Sequence, residues 1–121
     1  MKGFIIAYKA KDANSRTILN HTLFGRIVYR NYRGRRYAYY VPGLLHDIKF
    51  ARLLDSKIFV EENILNVKYD WSIFDLLGEM THTEAERDES ELSFNTGKEH
   101  WSKIVKEKGL VLREQRRKIN R

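Results

Sequence analysis

The chain of 121 residues has no cysteine, one proline (Pro42) and one glutamine (Gln115). The lack of cysteine excludes a disulfide scaffold, a thiolate zinc site and a cysteine nucleophile, and it fits an intracellular, cytoplasmic protein. Long apolar runs are also missing. The stretch Phe4-Ile5-Ile6 is too short for a signal peptide or a membrane span, so no membrane partner is expected. Charged residues make up 32% of the chain, which together with the scarcity of glutamine and cysteine leans toward thermophile proteins; seven asparagines lean the other way. The hydrophobic content of 42% suffices for a core, and the length suits one small domain. The expected organisation is a single domain over 1–112 and a basic C-terminal tail over 113–121.

What is present in excess is positive charge, net +7, unevenly placed. Residues 1–60 carry 12 Lys/Arg against 3 Asp/Glu, residues 61–97 carry 2 against 10, and residues 98–121 carry 9 against 3. A basic, acidic, basic order is the footprint of a polyanionic partner. The plain alternative is an acidic middle that neutralises the basic parts within one fold.

Gly3 to Lys9 reads as a buried strand. Lys11 to Asn20 is polar and reads as a loop or a short helical turn. From Leu23 to Val41, two Tyr- and Val-rich runs flank Arg33-Gly34, and Pro42-Gly43 ends the second. This is a hairpin signature, because Gly34 accepts the positive φ of a tight turn. A two-residue turn pairs Tyr32 with Arg35, Arg30 with Tyr37, Val28 with Tyr39 and Arg26 with Val41. Alternation then puts Ile27, Tyr29, Ala38 and Tyr40 on a core-facing side, with Asn31 and Arg36 near its tip. The other side interleaves Arg26, Val28, Arg30, Tyr32, Arg35, Tyr37 and Tyr39. A three-residue loop would slip the second strand and exchange its faces.

Lys49 to Glu62 reads as a second hairpin around Asp55-Ser56, with Phe50, Leu53, Leu54, Ile58 and Val60 as core contributors. Ile64 to Tyr69 is a further candidate strand. Trp71 to Met80 reads as a short helix weakened by Gly78. Thr81 to Glu91 reads as an acidic loop or an exposed helical turn. Thr96-Gly97-Lys98-Glu99 is a capping box that opens a helix closed by Gly109, with Trp101, Ile104 and Val105 on one face. Strands early and the best helix late give an α+β class. The expected architecture is a small, strongly bent antiparallel sheet or partial β-barrel of five or six strands, with a C-terminal helix packed on it.

Arginine brings a permanent charge and a planar fork that matches phosphate geometry. Tyrosine brings a flat ring on which an unpaired base stacks. The hairpin therefore reads as a non-enzymatic nucleic-acid-binding surface, with RNA or single-stranded DNA favoured over duplex. Its candidate residues are Arg26, Arg30, Tyr32, Arg33, Arg35, Arg36, Tyr37 and Tyr39. Arg113, Arg116, Arg117 and Lys118 in the tail are further candidates for phosphate contact. The alternatives are a solvated strand face, or an interaction surface for a protein partner or a second copy.

Catalytic signals are weaker. His21, His46, His82 and His100 show no metal-ligand spacing, and no metal or cofactor is expected. His82 lies near Glu79, Glu84 and Glu86 in sequence, so the acidic segment 79–91 is a candidate for holding a metal or recruiting a basic protein, against the plainer reading of an exposed acidic loop. Should the chain be an enzyme, it would be a small nuclease, either metal-dependent through the carboxylates of 84–91 or metal-free through Tyr37, His46 and Arg35. Thr96-Gly97-Lys98 is not a phosphate loop, since the glycine that pattern requires five residues earlier is Leu92. Trp71 and Trp101 read as core anchors.

Overall fold

The structure is a computed structural model that describes residues 1–61 and 72–114. The α+β class holds. Among the described residues there are eight strands in two sheets, three α-helices and a 3-10 turn over Glu89–Glu91. The elements in chain order are β1 (Lys2–Ala10), α1 (Ala13–Phe24), β2 (Arg26–Tyr32), β3 (Arg35–Val41), β4 (Phe50–Leu53), β5 (Lys57–Val60), α2 (Ser72–Leu77), β6 (Gly78–Glu86), β7 (Phe94–Asn95), α3 (Gly97–Glu107) and β8 (Leu112–Glu114). The sheets do not close into a barrel.

The larger sheet has the order β6-β1-β5-β4-β7 and is antiparallel throughout. β1 is bordered on both edges, which explains its apolar run. Phe4, Ile6 and Tyr8 share a face with Ile58 and Val60 of β5 and Phe50 of β4 through the register Phe4↔Val60, Ile6↔Ile58 and Phe50↔Val60. α1 lies against that face, adding Leu19, Leu23 and Phe24 to one cluster with Leu45 and Phe74. The Tyr8 hydroxyl donates to Asn20 Oδ1 at 2.7 Å, tying the central strand to the helix.

Three expectations change here. Lys11 to Asn20 lies mostly in the twelve-residue α1, which runs on to Phe24. Its Asn, Ser and Thr residues favour turns locally, but Asp12 caps it by accepting from the Ser15 amide at 2.7 Å, and burial of one narrow stripe holds it. Thr81 to Glu91 is no loop over most of its length. Gly78 to Glu86 forms a strand paired with β1 along its full nine residues, because β1 supplies a complete edge to which even a polar segment can bond. Leu54 is 85% exposed rather than core, since it sits in the turn between β4 and β5. The predicted strand at Ile64–Tyr69 and the side chain of Trp71 lie outside the described residues. The strand count exceeds five or six because β6 is polar, and β7 and β8 are too short to leave a periodic pattern.

The smaller sheet has the order β2-β3-β8, with β8 parallel to β3. α3 packs against it and fastens it to the rest. The Trp101 indole donates to the Phe24 carbonyl at 2.9 Å, and the Gly97 amide donates to the Leu45 carbonyl at 2.8 Å. The α3 capping box is complete, with Thr96 and Glu99 exchanging both bonds at 3.1 Å. At the base of the hairpin the chain enters through Gly25 and leaves through Gly43. A Cβ on Gly43 would lie 2.3 Å from the Gly25 nitrogen, so the two backbones can cross only without side chains.

Candidate nucleic-acid interface

The hairpin forms in the two-residue register: Tyr32↔Arg35, Arg30↔Tyr37, Val28↔Tyr39 and Arg26↔Val41. Arg33 and Gly34 take φ of 52° and 76°, the paired positive values of the mirror-image turn that matches strand twist. One face carries Ala38 and Tyr40, both fully buried, with the half-buried Ile27 and Tyr29. The opposite face presents Arg26, Arg30, Tyr32, Arg35, Tyr37 and Tyr39. The arginines and Tyr32 are exposed, while Tyr37 and Tyr39 are half-buried among their neighbours.

β8 completes this face. Pairing of Arg113 with Tyr39 puts its side chain on the outer side. The Arg113 guanidinium carbon stands 4.9 Å from the centroid of the Tyr37 ring. Arg113 therefore belongs to a strand, beyond the domain boundary drawn at 112. Arg116, Arg117 and Lys118 lie outside the described residues. Arg33, at the turn, leans over Tyr32 at 5.3 Å.

Arg36 lies on the other side of the sheet. Its guanidinium carbon stands 4.2 Å from the centroid of Tyr29, and the same ring carries Lys108 Nζ at 5.0 Å. Lys108 also donates to the Tyr29 hydroxyl at 3.0 Å. The sequence reading missed Lys108. Its position just before Gly109 marks only a helix end, and nothing local links it to a tyrosine in β2.

Among the described residues none of Arg26, Arg30, Arg33, Arg35, Arg36 and Arg113 has a carboxylate within ion-pair distance. Of the acidic middle, Glu79, Glu84 and Glu86 stand on β6 of the larger sheet, and Glu89 and Glu91 in the turn after it. Folding thus joins the two basic parts of the chain through β3 and β8 and pairs Gly78–Glu86 of the acidic middle into the other sheet.

No family model, curated protein or solved structure matches the chain.

The remaining candidate groups are dispersed. His46 follows the far end of β3 from the turn, with Nδ1 3.1 Å from the Gly43 carbonyl and Nε2 3.7 Å from Asp47. His82 sits on β6 with its ring stacked on Phe4 at 4.7 Å. Burial, then the charges of Arg52 and Lys103, push the pKa of His100 below the ordinary histidine value. Among the described residues no three His, Asp or Glu side chains converge as a metal site.

Proposed function

We propose that the protein is a nucleic-acid-binding module that holds RNA or single-stranded DNA on the Arg/Tyr face of β2, β3 and β8, without catalysing a reaction. The observation that carries this reading is the set of arginines on that face that have no carboxylate partner among the described residues. A solvated sheet face has no need of so many unneutralised guanidinium groups at strand spacing. A polyanion supplies their counter-charge and gains entropy by releasing its own counterions.

Roles follow from position. Arg26, Arg30, Arg33, Arg35 and Arg113 neutralise phosphates along the face, and Tyr32, the most exposed of the described tyrosines, supplies a ring for an unpaired base. Tyr37 has one ring face engaged by Arg113, so it also acts as a platform that orients that arginine. Tyr39 extends the aromatic strip toward the hairpin base. Such a role places the protein in the cell interior, where nucleic acid is.

Fluorescence anisotropy with labelled single-stranded RNA, single-stranded DNA and duplex DNA tests the reading, at two salt concentrations and with and without magnesium. Salt-dependent binding of intact single strands supports it. Cleaved oligonucleotide replaces it with a nuclease. Absence of binding at low salt defeats both and leaves the face as a contact for another protein.

A further inference from the structure

Where β3 passes the loop that follows α3, a surface cleft of about 340 Å³ opens. Arg35, Arg36 and Tyr37 form one wall, and Leu110, Val111 and Arg113 the other. No carboxylate lines it among the described residues. β8 reaches β3 only from Ala38 onward, so the edge of β3 beside the cleft is left open by β8. In a two-residue hairpin the residues flanking the turn, Tyr32 and Arg35, bond to each other. By alternation the main-chain N–H of Arg36 then points away from β2, toward this edge.

Two of the three arginines are held from behind by aromatic rings, Arg36 by Tyr29 at 4.2 Å and Arg113 by Tyr37 at 4.9 Å. Stacking restrains a guanidinium without using its N–H fork, so the donors stay available and little freedom remains to be lost on binding. Lys108, bonded to the Tyr29 hydroxyl, adds a further cation beside Arg36. An internal phosphodiester carries a single negative charge. A phosphomonoester carries about −1.5 to −2 near neutral pH and three acceptor oxygens. Three arginines at the edge of one small cleft match the monoester. A volume near the lower end of ligand pockets suits one chain end better than a strand passing through.

We infer that this cleft binds the terminal phosphate of a single-stranded nucleic acid, with the adjoining nucleotides continuing onto the Arg/Tyr face. This rests on the proposed nucleic-acid reading and adds an end specificity to it. The cleft straddles both sides of the small sheet, which gives Arg36 a role despite its separation from the other hairpin arginines.

The test is anisotropy with internally labelled single strands of one sequence, bearing a 5′ phosphate, a 3′ phosphate or hydroxyls at both ends, with inorganic phosphate as competitor. The expected result is about tenfold tighter binding of one phosphorylated strand, the size of one added charge-assisted contact. Arg36→Ala should remove that preference while keeping binding of the hydroxyl-ended strand, whereas Arg113→Ala, which also lies on the Arg/Tyr face, should remove the preference and weaken all three strands. Arg36 is exposed, so its variant serves even if the change in β8 disturbs folding. Arg26→Ala, at the far end of β2, should weaken all three strands equally. Equal affinity for all three ends overturns the inference and leaves the nucleic-acid reading intact. Inorganic phosphate that binds at the cleft without any end preference also overturns it, in favour of a free-phosphate site. No binding of any strand overturns the reading beneath it.

Discussion

Arg113 of β8 stacks over Tyr37 of β3, from the opposite end of the chain, and so brings the C-terminal basic segment onto the hairpin face. The contact converts two stretches separated by the acidic middle into one surface. An exposed cation–π contact is worth about 0.5–1 kcal/mol, so Arg113→Ala should lower Tm only slightly. The same variant should reduce the slope of log affinity against log salt for single strands by about 0.7, the share of one phosphate. Salt titration of wild type and variant side by side checks this; an unchanged slope removes Arg113 from the interface.

Arg26 and Arg30 are exposed on β2 and make no ion pair among the described residues. The double variant Arg26→Ala, Arg30→Ala should fold normally, weaken binding to every single-stranded sequence alike and lower the salt slope by about 1.4. A loss confined to one sequence would mean that these side chains read bases instead of phosphates.

Tyr32 is 61% exposed, and among the described residues only Arg33 stands over its ring. Tyr32→Ala should cost single-strand binding about 1–3 kcal/mol, with little change for duplex DNA. Tyr32→Phe should retain most of the affinity, because stacking needs the ring and not the hydroxyl. Equal losses on single strand and duplex would defeat the stacking role.

Gly25 has φ of 81°, and a Cβ there would lie 2.4 Å from the Val41 carbonyl oxygen. Gly25→Ala combines a strained backbone with a backbone clash and should cost about 2–3 kcal/mol. In a thermal melt this appears as a Tm lower by on the order of 10 °C. Gly34→Ala, with the same sign of φ but open space around it, should cost less. The comparison separates clash from backbone strain.

Acid should destabilise the protein in two stages. His100 has a pKa below the ordinary value, chiefly through burial, with Arg52 and Lys103 adding to it. The unfolded chain therefore takes up the proton first, and stability falls as pH drops below the ordinary histidine range, about 6.5. Asp12 and Glu99 are lowered by accepting the Ser15 and Thr96 amides at the starts of α1 and α3. Their contribution is present above the ordinary carboxylate range and is lost as pH falls through their depressed values. Melts of wild type and His100→Gln at neutral, mildly acidic and strongly acidic pH check this. The variant should lose the first stage and keep the second.

Where the determinants are local, the sequence was a sufficient guide. Arg33-Gly34 sets the turn and hence the pairing of every residue from Arg26 to Val41. Thr96 and Glu99 open α3 three residues apart. Such signals act between neighbours and need no knowledge of the rest of the fold. The same locality explains the failures. Asn14, Ser15, Thr17 and Asn20 do not favour a helix, yet α1 forms because Leu19, Leu23 and Phe24 find a sheet to cover. Thr81, Thr83 and Glu84 read as a loop until β1 offers them an edge.

By itself the sequence determined the Arg/Tyr alternation and its register, because a side-chain period of two follows from strand geometry alone. Only the tertiary structure decided what shares that face. Pairing of β8 with β3 recruited Arg113, the helix end recruited Lys108 beneath Tyr29, and pairing of β6 with β1 placed a run of glutamates on the other sheet. These are contacts between residues far apart in the chain, and they are set by which edges and faces remain to be covered once the local elements exist.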